Sequence, residues 1–444
     1  MKQVCIVGGL RSYIGVENGM YRNVSAEQLG AHVLREVIDR YAIPMEDIDC
    51  IIAGNGVGAG GNLTRLMMLE VGIPDEIPAM TVDVQCGSGL EAIATAAAKI
   101  ESGLADVILA GGFESCSTKP LRIRNERHPD YVREDTEAAK SAQPVTTDPN
   151  VYRTAKFAPG RPDELAMLRG AERVAQAWNM DKRRLDRYAM DSHKRAEMAA
   201  ESGELQEILA APFSAFPAKD REAVAFEGAG RWKRSLHEAE SGTDQYPKRQ
   251  ATRSSGTQDD RDEGIRKRMS EALLDRLPLL VPGGTYITAG NACLTHDGAA
   301  FVVLCSKEYL LAHNRNRRAE LVDVVAAGSD PARSPESILP AIERLLQRNH
   351  LLPEQITAWE YNEAFAVIDA LMESRYGSNP RYNIFGGALA YGHPYGASGG
   401  ILTLHLMQAM NRLECPEGMC EKYGIAAIAA AGGIGTAMLI RSSI

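Results

Sequence analysis

One arrangement occurs twice in this chain of 444 residues, and it constrains the fold more than any other feature. Cys86-Gly87-Ser88-Gly89-Leu90 opens a helical stretch, and the apolar run Val107–Ala110 with Gly111-Gly112 follows it. Toward the other end Gly396-Ala397-Ser398-Gly399-Gly400 opens a second helical stretch, followed by Ile428-Ala429-Ala430-Ala431-Gly432-Gly433. The shared loop–helix–strand–glycine order reads as two copies of one α/β unit. Val4–Val7, Cys50–Ala53 and Val107–Ala110 have the texture of strands, and Ala26–Arg40 and Gly89–Ser102 that of helices. Such alternation predicts βαβ units and a mostly parallel sheet.

Between Lys119 and about Pro282 the pattern changes. Charges crowd together, as in Asp220-Arg221-Glu222 and Asp259-Asp260-Arg261-Asp262-Glu263. Ser241–Thr257 is polar and weakly patterned, which predicts a surface excursion. Ala171–Trp178 and Lys182–Glu201 still have the spacing of amphipathic helices, and from Tyr286 to Ile440 the α/β texture resumes.

Composition narrows the function classes. The net charge is −9, so no global basic field is available for nucleic acid. No apolar run approaches the ~20 residues that span a bilayer. Val4–Val7 reads as a first buried strand, because Arg11 cuts short any signal-peptide pattern. The eight cysteines are scattered, without a CxxC pair. That pattern fits free thiols in a reducing, cytoplasmic setting, where each cysteine is a question of pKa and exposure. No metal ligand set is expected.

Three motifs carry candidate chemistry. Cys86 stands just before a helix start, where unpaired N–H groups and the dipole favour thiolate over thiol. The motif alone does not separate it from a buried cysteine in a helix-start turn. His393, in Gly392-His393-Pro394-Tyr395-Gly396, occupies the counterpart loop of the second unit and could take a proton or polarise a carbonyl. A pseudo-twofold axis would bring the two helix starts together as a Cys–His pair. Asn362, in Asn362-Glu363-Ala364-Phe365-Ala366, follows the apolar Ile356–Trp359, where it could serve a site or simply cap a helix. Trp178, Trp359 and Tyr395 could shape a pocket or serve ordinary packing.

In these motifs the chain resembles the thiolase family. The CGSG loop, Gly111-Gly112-Phe113-Glu114-Ser115, Gly290-Asn291-Ala292 with Asp297-Gly298-Ala299-Ala300, NEAFA and GHPxGASG all occur in the family order. The middle segment matches more loosely, through Ala171-Glu172-Arg173-Val174-Ala175 and Asp262-Glu263-Gly264-Ile265-Arg266. The resemblance implies an α/β thiolase fold: two similar βαβαβαββ halves in a layered α-β-α-β-α core. It places the N-terminal half at 1–118, completed by about 296–314. An inserted loop domain covering coenzyme A follows at 119–295, lengthened near Phe213–Asp260, and the C-terminal half spans 315–444. It also implies ping-pong chemistry on acyl-CoA and CoA as substrates, with no permanently bound cofactor, and a homodimer or homotetramer.

By the same resemblance Cys86 is the acyl acceptor and His393 its activator. Asn362 holds a water in an oxyanion hole that His393 completes, the kind of contact that is usually the largest catalytic term. Arg266 would meet the CoA nucleotide end, and Met167, Ala289, Cys293, Ala364 and Phe365 would line the path of CoA and its acyl group.

The departures are specific. Where the family has a cysteine that moves the α-carbon proton, this chain has Ala429. Ala431 replaces a glycine whose N–H helps hold the acyl-enzyme oxyanion, and its geometry would fail if the turn needed a positive φ. Cys293 replaces a serine near the pantetheine, Cys116 replaces a methionine, and Ala166 stands where the family has a pocket histidine. Cys293 is the preferred substitute base and Cys116 the second candidate, although both could be small buried cysteines. The leading reading is therefore Claisen condensation or its thiolytic reverse on a 3-oxoacyl-CoA. The alternatives are an acyltransferase or thioesterase without carbon–carbon chemistry, and a non-catalytic CoA-binding subunit.

Overall fold

Strand–helix alternation becomes two runs of the same order. The computed structural model of the chain describes residues 1–133, 148, 150–153, 155–159, 163–213 and 260–443. The first run is β1 (Val4–Arg11), the short β2 (Gly15–Val16), α1 (Ala26–Tyr41), β3 (Cys50–Gly54), α2 (Leu63–Glu70), β4 (Ala79–Val82), α3 (Ser88–Glu101) and β5 (Val107–Glu114). The segment after it carries a small ladder, β6 (Arg122–Ile123) with β7 (Val151–Tyr152), and helices α4 (Ala166–Ala177), α5 (Lys182–Ser202) and α6 (Glu271–Leu274). There follow β8 (His296–Ser306), α7 (Lys307–Ala312), β9 (Ala319–Gly328), α8 (Ile338–Arg348), β10 (Ile356–Tyr361), α9 (Ala366–Tyr376), α10 (Ala388–Tyr391), α11 (Ser398–Arg412), β11 (Glu421–Ala430) and β12 (Ile434–Ser443). The surface excursion expected at Ser241–Thr257, and the extra length inside Phe213–Asp260, lie outside the described residues.

The internal repeat is visible in the sheet order, β10-β11-β12-β9-β1-β8-β5-β3-β4. Outward from the central β1–β9 contact, β8, β5 and β3 on one side match β12, β11 and β10 on the other. Both sides join a parallel pair, β3–β5 and β10–β11, to an antiparallel one, β5–β8 and β11–β12. Where β4 pairs with β3, a single parallel bridge joins Trp359 to Tyr382.

Alternation along each strand sorts the side chains into layers. In β3 and β5, Ile52, Ile108 and Ala110 point toward a central cluster that also holds Leu90 and Ile93 of α3 and Leu404 of α11. Their neighbours Ile51, Ala53 and Leu109 face α1 and α2. In β11, Ala426 and Ile428 face the centre, while Ile425 and Ala427 face α8 and α9. The result is a five-layer α-β-α-β-α thiolase fold with α3 and α11 buried between the sheets. Strands covered on both faces are near-continuous apolar runs, which is how they read in the sequence.

Two expected strands are longer than the sequence suggested. β1 and β5 run through Gly8-Gly9 and Gly111-Gly112, which read as stops. A Cβ on Gly112 would lie 1.9 Å from the carbonyl oxygen of Gly396, so this glycine permits a close approach of backbones and does not end the strand.

Candidate active site

Cys86 is presented by a tight turn rather than by the helix itself. Gln85 takes φ +51°, unusual for a residue with a Cβ, and the turn is tied by Ser88. Ser88 Oγ accepts from Val84 N at 2.8 Å and donates to Gln85 O at 2.6 Å. Gly87 is the N-cap of α3, with no side-chain cap, so Cys86 sits one residue outside the helix. The backbone N–H groups of Ala431 and of Cys86 itself are directed at the sulfur.

The thiolate expected from the helix position is not the resting state. Burial pushes the Cys86 thiol up to about 12, and the two N–H groups only partly oppose it. Desolvation outweighs the dipole here because the residue is 7% exposed and lies outside the first turn. The concern over Ala431 is answered in its favour. Gly432 (φ +89°) and Gly433 (φ +76°) take the left-handed conformations of this turn, and Ala431 takes none.

His393 and Asn362 meet. Asn362 Nδ2 is 3.3 Å from His393 Nε2, both buried. α9 begins only at Ala366, with Phe365 as its N-cap, so Asn362 does not cap it. On the other side of the ring, His393 Nδ1 is 2.6 Å from Ser398 Oγ, whose one proton goes to Pro394 O at 3.0 Å. That assigns the imidazole proton to Nδ1 and leaves Nε2 as the basic nitrogen. Burial, with His296 alongside, lowers His393 to about 3, so the ring is neutral. Among the described residues no hydrogen bond joins Cys86 to His393.

The remaining site residues fall into two groups. Cys293 N–H donates to Ala364 O at 2.9 Å, Ala292 bridges Phe365, and Thr295 bridges His393. Met167 and Cys293 pack against the cluster containing Ala364 and Phe365. Burial raises the Cys293 thiol above its usual range, and the nearby Cys86 adds to the rise. Cys116 is 1% exposed and its thiol is likewise raised by burial. Arg266 and Ala289 form the second group, Nη1 lying 3.3 Å from Ala289 O with the side chain exposed. Ala429 is buried on β11 and cannot exchange a proton.

Several neighbours escaped sequence reasoning. Glu114 ties the loops together, accepting from Gly56 N and Gly396 N at 2.9 and 3.0 Å, and burial raises it to about 7. His296 Nδ1 lies 3.2 Å from His393 N. Tyr395 stands edge-on to His393, centroids 4.9 Å apart, with Cys86, Cys116 and Cys293 around its hydroxyl. Trp359 is core and Trp178 is exposed. Glu114 and Ser398 lay inside quoted motifs, but the long-range bonds of Glu114 had no local signal.

Comparison with known proteins agrees with the fold. Residues 4–236 match the N-terminal domain of thiolase and residues 315–442 the C-terminal domain. A Staphylococcus aureus protein with the provisional name acetyl-CoA C-acetyltransferase VraB is 32% identical over 441 residues, covering 99% of each chain. The human mitochondrial 3-ketoacyl-CoA thiolase, solved with CoA, has 26% identity and a TM-score of 0.78, covering 100% of this chain and 98% of that one. The Bacillus anthracis acetyl-CoA acetyltransferase has 25% identity and a TM-score of 0.80, with 99% of each covered. The chain belongs to the thiolase family. It is an acyltransferase of the thiolase type.

Proposed function

We propose that the protein moves an acyl group from acyl-CoA onto Cys86 and then between Cys86 and the α-carbon of a second acyl-CoA. The observation that carries this reading is the convergence of two N–H donors, from Cys86 and Ala431, on one sulfur, with Tyr395 interacting both with that thiol and with His393 of the Asn362–His393 pair. In the loading step the Cys86 proton passes to His393 Nε2 and the thiolate attacks the thioester carbonyl. The C–S bond to CoA breaks, and the CoA thiolate recovers the proton. Asn362 and His393 face the oxygen of the incoming thioester, and the two N–H groups face that of the acyl-enzyme. By the family resemblance Arg266 meets the nucleotide end of CoA, and Met167, Ala289, Cys293, Ala364 and Phe365 line the path of its arm. Acetyl-CoA is the first substrate to test, since several similar proteins carry acetyl-CoA acetyltransferase names.

In the second step Cys293, its own proton passed first to the freed His393 Nε2, takes the α-proton in place of the residue lost at Ala429. The carbanion bonds to the acyl carbon as that carbon's bond to Cys86 breaks, and the Cys86 thiolate recovers the proton from His393. Ala429 also favours a second reading, in which the acyl-enzyme passes its group on without carbon–carbon chemistry. Deuterium exchange at the acetyl-CoA methyl group separates the two. Exchange that Cys293→Ala abolishes supports the first, and absence of exchange in an enzyme that still acylates supports the second. By family resemblance the working form is a homodimer or homotetramer in fatty acid metabolism, and the scattered free cysteines favour the cytoplasm. Sedimentation and cell fractionation test the assembly and the compartment. Among the described residues no helix is long and apolar enough to cross a membrane.

A further inference from the structure

Behind the Asn362–His393 pair lies a cavity of ≈ 20 Å³ lined by residues including Glu360, Asn362, Tyr391, Ser398 and His405. Every lining residue is buried. Glu360 is 1% exposed, and among the described residues neither of its carboxyl oxygens has a hydrogen-bond partner. An unbonded carboxyl in an apolar interior is strongly disfavoured, and ordered water is the common remedy where the space is polar. One water needs roughly 10–15 Å³ of such space, so this cavity admits a single molecule.

The groups around the cavity suit a water. Ser398 Oγ takes the His393 Nδ1 proton and gives its own to Pro394 O, so it has accepting capacity left. His405 Nε2 accepts from Arg11 Nε at 3.1 Å, which puts the His405 proton on Nδ1. Burial, with the neighbouring Glu363, pushes the Glu360 carboxyl well above the usual carboxylate range while Arg195 opposes them, which favours the acid form, able both to donate and to accept.

We infer that this cavity is a built site for one water between Glu360 and the residues that back His393, and that Glu360 is a positioning residue for the Asn362–His393 pair. The polar file continues outward through His405 and Arg11 to Asp262, four residues before Arg266. The kinetic part of the inference rests on the acyl-transfer reading, and the structural part does not.

Two measurements test it. In a crystal structure fine enough to order single waters, one water bonded to Glu360 and to Ser398, Asn362 or His405 is expected. A dry cavity, or Glu360 bonded only to protein, overturns the inference. In the acylation of Cys86 by acetyl-CoA, Glu360→Gln should keep the wild-type kcat, whereas Glu360→Leu should lose roughly tenfold to a hundredfold in kcat at unchanged KM. Full activity in Glu360→Leu, or a loss that Glu360→Gln shares, overturns it. A folded wild-type protein that does not acylate contradicts the proposed function instead, and the crystal structure then decides the water site alone.

Discussion

Cys86 combines two opposing demands. Its sulfur needs donors and a nearby base to become a nucleophile, yet its burial holds the thiol at about 12 in the resting protein. A neutral His393, lowered to about 3, does not draw the proton away before substrate arrives. On the proposed reading the nucleophile is therefore made during the reaction rather than stored. A thiol this weak has a thiolate fraction that grows tenfold per pH unit throughout the accessible range. Alkylation of Cys86 in the free enzyme, followed by mass spectrometry, should rise about tenfold per unit without a plateau between about pH 7 and pH 10. A plateau near neutrality would show a stabilised thiolate. Cys86 and His393 were legible in the sequence because each stands in a glycine- or proline-bounded loop before a helix, and Asn362 because it follows an apolar strand run. His296 and Glu114 were not, since their partners lie far away in sequence, and neither was Glu360, whose carboxyl oxygens have no hydrogen-bond partner among the described residues.

At the scale of elements, the site depends on how closely α3 and α11 cross. A Cβ on Gly399 would lie 2.0 Å from Leu90 N, and one on Gly89 would lie 2.5 Å from Gly396 O. These glycines let the two helix starts meet, which places the loops of Cys86 and His393 side by side. Gly399→Ala forces backbone apart where no side chain can yield. It should destabilise the fold by about 3 kcal/mol, read from denaturant unfolding, and lower acylation as well. Wild-type stability in that variant would contradict the close crossing. The strand–helix alternation could be read from the apolar runs, because both faces of these strands are buried, and the repeat from the recurring glycine loop before a helix. The mostly parallel sheet expected from that alternation is instead mixed, with most strand pairs antiparallel. Strand ends in β1 and β5 could not, since a glycine kept for close approach and one that ends a strand look alike in one sequence.

At the scale of the whole molecule, the segment between the halves is held onto the core by a buried ion pair. Arg11 is fully buried on β1 and meets Asp262 through two bonds of 2.9 and 3.0 Å, while Asp262 also accepts from Ile14 N. Glu263 accepts from Val16 N at 2.9 Å. These contacts dock the stretch that carries Arg266. Asp262→Ala leaves a buried guanidinium uncompensated and should cost about 3–5 kcal/mol in thermal or denaturant unfolding. A change below about 1 kcal/mol would mean that Arg11 finds another partner or solvent. Nothing local in the sequence pairs Arg11 with Asp262, 251 positions apart, although Asp262 opens a stretch that matches the family.

All three scales converge on one event, the loading of Cys86. The most direct test is to incubate the folded protein with acetyl-CoA and analyse its peptides by mass spectrometry. An acetyl group on the peptide containing Cys86, absent in Cys86→Ala, is the predicted result. A folded wild-type protein that carries no acetyl group, or carries it equally in Cys86→Ala, would contradict the account.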